Sequence, residues 1–149
     1  MQVRAATPKD LDDLVLLFIG YLRCYEINRD PLAVHEFLRA RLAQGDSQVF
    51  LARDEAWRPL GFVQLYPFYS SLVLEPAWLV SDLYVEPEQR CAGVGQALMM
   101  AARVHAEVTG ACGLQLETAS TNIAAQRLYE RLGYVRDEHF LTYWLSLHE

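Results

Sequence analysis

Three residues of a short turn have the spacing of an anion-binding device. Arg90, Gly93 and Gly95 form the pattern Arg-x-x-Gly-x-Gly. A stretch typical of a buried strand, Trp78–Val85, precedes the turn, and good helix formers follow Gly95. The first N–H groups of a helix have no partner within it, and the helix dipole favours negative charge there. Strand, glycine turn and helix in this order predict a phosphate-binding site.

Two other phosphate motifs do not fit this turn. A P-loop ends in Gly-Lys-Ser/Thr, and no lysine follows these glycines. A dinucleotide fingerprint needs a third glycine, where the chain has Leu98 after Ala97. On its own, the remaining Arg/Gln-x-x-Gly-x-Gly/Ala pattern fits a phosphate site and a plain strand–helix connection equally well.

The elements that position the turn follow from apolar periodicity, helix caps and breakers. The predicted strands cover 2–6, 48–53, 60–67, 78–85, 113–118 and 140–147, and the predicted helices cover 7–21, 30–45, 95–110 and 122–132. A connection, Pro67–Pro76, separates two of the strands. This order predicts one domain, 1–149, of the α/β class (mixed α+β), in which helices flank a central mixed sheet.

Composition and charge exclude several classes of protein. The net charge of −6 argues against a nucleic-acid partner, because phosphate contacts need a basic face. Three scattered cysteines do not make a disulfide framework, so a reduced, cytoplasmic setting is expected. The four histidines lack metal-ligand spacing, so no metal is expected. The longest apolar run, Leu14–Leu22, is about half of a membrane span, and no membrane partner is expected.

A second group of residues gives the turn its context. The turn follows Leu83-Tyr84-Val85-Glu86-Pro87, and about thirty residues later come Asn122, Ala125, Leu128-Tyr129-Glu130 and Gly133-Tyr134. Together these motifs resemble the GNAT superfamily of acyl-CoA-dependent N-acyltransferases. The resemblance implies a mostly antiparallel sheet that is splayed after the fourth strand. It also implies acetyl-CoA as co-substrate and an amine as acceptor.

A narrower resemblance concerns the acceptor. Gln64-Leu65-Tyr66-Pro67, Ser70-Ser71 and Asp82-Leu83-Tyr84-Val85 are similar to the branch with small histone- and polyamine-acetylating members. That branch implies a primary amine, either a polyamine-like small molecule or a lysine side chain. A homodimer is expected from the family alone. The acceptor itself is not encoded in a readable motif.

The resemblance assigns donor-binding roles residue by residue. The CoA pyrophosphate would be bound by the backbone N–H groups of six consecutive residues, Cys91, Ala92, Gly93, Val94, Gly95 and Gln96. The backbone of Leu83, Tyr84 and Val85 would pair with the pantetheine arm as an added strand does. Arg90 either adds charge to a phosphate or is simply solvated. Asn122 would bind the pantetheine, and it also fits a helix N-cap.

The resemblance makes Tyr129 the candidate general acid. A departing thiolate benefits from a nearby proton donor, and a phenol with a pKa of about 10 is protonated at pH 7. The alternative for Tyr129 is a packed helix aromatic. Asp82 is the candidate base, because it precedes the pantetheine-binding segment on the central strand. The other carboxylates considered for this role are Glu26, Glu75 and Glu117.

Three further alternatives stay open from the sequence. Direct attack of the amine is expected, because no Ser-His-Asp pattern offers a covalent route. A non-catalytic acyl-CoA-binding or sensor module would use the same fold, and O-acetylation would use the same donor site. Cys91 stands where the family usually has glycine or a small polar residue. It is either a reactive thiol that CoA protects or a small residue tolerated in the turn.

Overall fold

The structure, a computed structural model, describes residues 1–148 and contains five strands and four α-helices among them. In chain order these are β1 (Gln2–Ala5), α1 (Leu11–Cys24), α2 (Pro31–Gln44), β2 (Gln48–Arg53), β3 (Pro59–Ser70), β4 (Glu75–Val85), α3 (Val94–Val108), β5 (Leu114–Leu116) and α4 (Ile123–Arg131). Short 3-10 turns lie at Pro8–Asp10 and Pro87–Gln89. The predicted class, a mixed and mostly antiparallel sheet with helices, is confirmed.

The chain forms two compact units. Residues 1–117 contain the whole sheet with α1, α2 and α3, and the second unit begins at Thr118 and contains α4. The prediction of one domain over 1–149 stays a prediction. No helix within residues 1–148 has the length and apolar character needed to cross a bilayer.

The sheet has the order β1-β2-β3-β4-β5. Its first four strands are antiparallel neighbours, and β5 runs parallel to β4. This last pairing joins Trp78–Val80 to Leu114–Leu116 and stops there. The second half of β4, residues 81–85, therefore extends past the β4–β5 ladder.

Cap residues open both amino-terminal helical segments. Thr7 and Asp10 form a capping box at the 3-10 turn Pro8–Asp10, which leads into α1, with the Thr7 N–H donating to Asp10 Oδ2 at 2.8 Å. Asp30 Oδ1 accepts from the Leu32 N–H at 2.9 Å at the start of α2. Gly45 closes α2 with a left-handed φ of 64°. These local signals are the reason that the helix boundaries are readable from the sequence.

The core of the first unit occupies both faces of the sheet. On one face Phe62 and Tyr84 pack against α1 and α2, in a cluster that also contains Leu14, Leu17, Phe18, Val34, Leu38, Val49 and Leu51. Gly61 lies next to Phe62, so it faces the other side, where a Cβ on it would lie 3.3 Å from Leu98 of α3. The end of β4 is therefore fixed from both sides.

Two predictions about the strands are wrong. Residues 140–147 form no strand, and their large apolar side chains are exposed. An alternating pattern needs a hydrogen-bonded neighbouring strand to become a strand, and the five-stranded sheet of residues 1–148 does not include this segment. The connection Pro67–Pro76 is also mostly strand, since β3 continues to Ser70 and β4 starts at Glu75. The true connection is the turn 71–74.

Candidate active site

The turn between β4 and α3 has two residues in the left-handed region. Cys91 has a φ of 62° and Gly93 a φ of 85°, and Gly93 is the N-cap of α3. Left-handed residues beside right-handed or extended ones turn successive N–H groups toward one side, a concavity that binds anions. Cys91, a non-glycine residue with such a φ, carries about 1 kcal/mol of strain.

The residues present at this turn fit a CoA pyrophosphate. A Cβ added to Gly93 would meet nothing within 4 Å, so the space over its backbone is open to a ligand. The first backbone hydrogen bond of α3 runs from the Ala97 N–H to the Gly93 carbonyl, at 3.0 Å. The N–H groups of Val94, Gly95 and Gln96 precede that bond, as the first N–H groups of a helix do. Backbone donors and the helix dipole thus coincide at this end of α3.

Arg90 is directed back onto the protein. Its Nε donates to the Val85 carbonyl at 3.0 Å, and its Nη2 lies 3.5 Å from Cys24 Sγ. Its guanidinium also lies 5.8 Å from the Tyr84 ring centroid. In this arrangement Arg90 ties the end of β4 to the end of α1. Neither of the two roles weighed from the sequence describes this contact.

The backbone N–H and C=O groups of β4 point alternately toward β3 and away from it. The Glu86 N–H donates to the Leu60 carbonyl at 2.8 Å. In an antiparallel ladder the hydrogen-bonded pairs alternate, so the next such pair is Tyr84 with Phe62. The N–H and C=O groups of Leu83 and Val85 then point away from β3, on the side where the β4–β5 ladder has already ended.

Asp82 lies at an irregular point of the same strand. Gln64 is the register partner of Asp82, but Leu65 is the partner of Val80, so Ser81 is the extra residue of a β-bulge. Bulges re-aim side chains and are frequent beside active sites. Asp82 is half-buried, and its Oδ2 accepts from Gln64 Nε2 at 2.9 Å.

Two tyrosines border the Asp82 carboxylate. Burial and the nearby charge of the Asp82 carboxylate raise the pKa of Tyr21 far above its ordinary value. Burial and the charge of Asp82 raise the pKa of Tyr66 to about 12. Both phenols therefore stay protonated at neutral pH and can only donate to the carboxylate. This part of the site joins α1, β3 and β4.

The second unit carries Asn122 and Tyr129. Asn122 is the N-cap of α4, and its Oδ1 accepts from the Ala125 N–H at 3.1 Å, so the N-cap interpretation is confirmed. Tyr129 is half-buried on α4, with its ring centroid 5.9 Å from that of Tyr134. Gly133 stops the helix with a φ of 97°, as its position predicts.

A cavity of about 360 Å³ lies at the end of α1. It is lined by the side of α1 and the following loop, with Ile19, Leu22, Arg23, Glu26, Ile27, Asn28 and Arg29. Glu26 has a φ of 57° and is exposed. Of the other carboxylates considered as a base, Glu75 is exposed at the start of β4 and Glu117 is exposed beyond β5.

The last groups to place are the cysteines, the possible metal ligands and the residues that sequence reasoning missed. Cys24, Cys91 and Cys112 are free and exposed. Within residues 1–148 no group of three or more His, Cys, Asp or Glu side chains could hold a metal ion. Sequence reasoning missed the contacts of Tyr21 and Ser47, because only the fold brings α1 next to β4 and the start of β2 next to β3. A polar glutamine inside the apolar run of β3 was the available signal for Gln64.

Fold and site together have the features expected of an α/β acyltransferase, with a turn between the fourth strand and the third helix whose geometry suits a phosphate. The model of the Acetyltransferase (GNAT) family matches residues 15–134. An uncharacterized N-acetyltransferase, YhfO of Bacillus subtilis, is 35% identical over 147 residues, covering 99% of this chain and 98% of its own. An aminoglycoside N(6′)-acetyltransferase type 1 of Stenotrophomonas maltophilia is 24% identical over 97% of this chain and 93% of its own.

Solved structures agree with these sequence matches. The crystal structure of a probable acetyltransferase is 37% identical, with a TM-score of 0.94 over 100% of this chain and 99% of that one. The chain belongs to the acetyltransferase (GNAT) family. It is accordingly an acetyltransferase enzyme, and enzymes of this family act on amine acceptors such as small molecules or peptides.

Proposed function

We propose that this enzyme transfers an acetyl group from acetyl-CoA directly to a primary amine. The acceptor is a polyamine-like small molecule or a lysine side chain. One observation carries the donor half of the proposal: the left-handed residues Cys91 and Gly93 form an open, N–H-lined concavity at the start of α3. Acetyl-CoA supplies the acetyl thioester, and its pyrophosphate is the anion for which this turn is suited.

Donor binding involves residues 91–96 and the end of β4. The N–H groups of the turn and of the first helical residues bind the pyrophosphate. The backbone of Leu83 and the N–H of Val85 face the side away from β3 and pair with the amide-rich pantetheine arm, while the Val85 carbonyl accepts from Arg90. Tyr84 lies in the same segment of β4, but its backbone N–H and C=O groups pair with β3. It therefore supports the segment through its packed ring. Asn122 keeps its amide Nδ2 as a donor, because only its Oδ1 is used in the cap.

Asp82 and Tyr129 have opposite roles in proton transfer. The amine nitrogen forms a bond to the acetyl carbon while the carbon–sulfur bond breaks, and the acetyl group passes over without a covalent enzyme intermediate. Asp82 receives the proton that the ammonium loses. Tyr129 gives its proton to the departing sulfur. The assignment of Tyr129 rests on the Leu128-Tyr129-Glu130 motif, and that of Asp82 on its position and contacts in β4.

The acceptor class follows from charge and from the surroundings of Asp82. The chain has a net charge of −6, and the half-buried carboxylate is bordered by aromatic rings that attract cations as well. A protonated amine suits such a site. The relative that acetylates an aminoglycoside nitrogen is consistent with a cationic acceptor. The histone- and polyamine-acetylating branch and a homodimer remain predictions.

Cys91 remains open between a reactive thiol and a tolerated small residue. Its position in the turn places it among the groups that bind the pyrophosphate, so we expect bound acetyl-CoA to protect it from alkylation. Equal alkylation rates with and without acetyl-CoA would contradict this expectation.

The test of the proposed function is CoA thiol release from acetyl-CoA across a panel of amines. The panel contains polyamines, aminoglycosides, lysine peptides and, as a control, alcohols of similar size. We expect release with at least one primary amine and not with the alcohols. Release with alcohols alone would indicate O-acetylation, and tight CoA binding with no release would exclude N-acetyl transfer to these acceptors.

A further inference from the structure

Gln64 is a buried polar side chain that the acetyl-transfer scheme above does not use. It is 0% exposed, in a strand whose neighbouring buried residues are apolar. A buried amide is tolerated only where its donors and acceptors are paired. Its partners are Ser47, whose Oγ lies 3.0 Å from Gln64 Oε1, and Asp82, whose Oδ2 lies 2.9 Å from Gln64 Nε2.

The chemistry of these partners fixes the orientation of the amide. An ionised carboxylate can only accept hydrogen bonds, so the amide nitrogen must face Asp82. The amide oxygen then faces Ser47, whose hydroxyl donates to it. A flipped amide would put its oxygen against the carboxylate and leave the nitrogen facing the hydroxyl. Ser47, Gln64 and Asp82 thus form a directed chain of hydrogen bonds that ends on the carboxylate.

This chain of hydrogen bonds differs from a simple structural contact because it ends on Asp82, the candidate base. Gln64 is fully buried, whereas Asp82, its register partner, is only half-buried. The β-bulge at Ser81 sets Asp82 at this point of the strand. The Tyr21 hydroxyl approaches the same carboxylate from α1. Gln64 of β3 therefore bonds the carboxylate, and Tyr21 of α1 lies beside it.

We infer that Gln64, anchored by Ser47, is a positioning residue that fixes the direction of the Asp82 carboxylate as it receives the acceptor's proton. This inference rests on the proposed function. Gln64 touches neither the donor nor the acceptor in this scheme, so its whole effect on the reaction passes through Asp82. Its removal should therefore matter only while Asp82 is present.

The test is a double-mutant cycle on acetyl transfer to the best amine of the panel. Gln64→Leu should lower kcat about tenfold, the size expected for coupled neighbours, and leave KM for acetyl-CoA unchanged. In the Asp82→Asn background the same substitution should have no further effect. Gln2→Leu, on the exposed residue of β1, is the matched control and should leave kcat and KM unchanged.

A second pair of variants covers the case in which Gln64→Leu does not fold. Ser47→Ala removes the hydroxyl that sets the amide, and Ser47→Thr keeps it. We expect a several-fold loss of kcat in the first and near wild-type kcat in the second. Additive losses in the cycle, or equal kcat for the two Ser47 variants, would overturn the inference while the acetyltransferase function stands. A wild-type protein that transfers no acetyl group to any amine would overturn both.

Discussion

Gln64 Nε2 donates to Asp82 Oδ2 at 2.9 Å across the pair of strands β3 and β4, in which the two residues are register partners. The amide is fully buried and the carboxylate is half-buried. The first residue can therefore provide rigidity, and the second can reach a substrate. Such supporting bonds decide whether a functional group is held closely enough for catalysis.

Asp82→Asn should make acetyl transfer depend on the amine being already neutral. At pH 7 an alkylammonium with a pKa of about 10.4 needs about 5 kcal/mol to lose its proton, and an amide cannot accept it. We expect kcat/KM to fall about 100-fold at pH 7 and to recover as the pH rises toward the pKa of the amine. The measurement is the pH profile of both proteins between about pH 6 and about pH 10, a range that ends near the pKa of the amine.

Glu55→Gln, in the exposed turn between β2 and β3, is the control for loss of one negative charge. It should keep the wild-type profile. An Asp82→Asn loss that is constant at every pH would show that Asp82 serves the structure or the binding of the acceptor, not the transfer of a proton.

Gly93→Ala should weaken CoA binding. The left-handed φ of 85° adds about 1 kcal/mol of strain for alanine, and the new methyl group enters the open space over the turn. Gly110→Ala is a matched control, since Gly110 has a φ of 73° and also nothing within 4 Å of an added Cβ, but lies after α3. Calorimetric titration with CoA should show about a tenfold higher Kd for the first variant only.

Both glycine variants should lose similar stability in urea unfolding. Equal destabilisation would show that the backbone strain is the same in the two variants. A difference in CoA affinity would then come from contact with the ligand. Equal CoA affinities of the two variants would contradict the assignment of the turn to the pyrophosphate.

Gly20→Ala should destabilise the fold although alanine favours helices. A Cβ on Gly20 of α1 would lie 2.5 Å from the Tyr84 hydroxyl oxygen and 2.9 Å from the carbon that bears it. Helix propensity would add up to about 1 kcal/mol, but overpacking costs about 1–3 kcal/mol. We expect a net loss of about 1–2 kcal/mol in the free energy of unfolding, measured in urea.

Gly113→Ala is the comparison for this variant, because a Cβ there meets nothing within 4 Å and no left-handed φ is involved. It should leave stability within about 0.5 kcal/mol of wild type. Adding Tyr84→Phe to Gly20→Ala should recover part of the loss, since the nearest clashing atom is removed. Wild-type stability of Gly20→Ala would mean that α1 can move away from β4 at little cost.

His105 should make the fold less stable in mild acid. Its ring on α3 lies 4.8 Å from that of Trp78 and 5.7 Å from that of Phe50, and burial lowers the pKa of this imidazole from 6.5. The unfolded chain then binds the proton more readily than the folded chain does. The neutral imidazole therefore stabilises the fold above pH 6.5, and this stabilisation is lost as the pH falls through the lowered pKa.

Urea unfolding of wild type and His105→Phe at pH 7.5 and about pH 5.5 measures this effect, in a range above the ordinary titration of carboxylates. The wild type should lose more stability between the two values than the variant, which has no proton to gain here. Equal losses would show that His105 does not account for the pH dependence.

The sequence predicted the parts of the fold that local chemistry encodes. Thr7, Asp30 and Gly45 act on backbone groups within a few residues, so the helix ends they predict agree with the structure. The glycine turn could be read for the same reason, since Gly93 is left-handed whatever binds there. The length of the hairpin could not be read, because Pro67 suggested a break that β3 accommodates with Pro67 opposite Trp78.

Long-range relations explain what the sequence did not predict. Asp82 lies beside Gln64 and Tyr21, and Gln64 in turn contacts Ser47. These residues are distant along the chain and meet only through the register of the sheet and the packing of α1. The predicted strand 140–147 failed for the opposite reason. Its alternating pattern is local, but a strand needs a partner that the pattern does not name.

The most direct test of the central claim compares acetyl transfer by wild type and Tyr129→Phe, with CoA affinity measured in parallel. Loss of a general acid should lower kcat about 100-fold or more and leave KM for acetyl-CoA and the Kd for CoA unchanged. Tyr143→Phe, at a residue 88% exposed, is the control and should match wild type. A Tyr129→Phe protein that transfers acetyl groups at the wild-type rate would contradict the proposed mechanism.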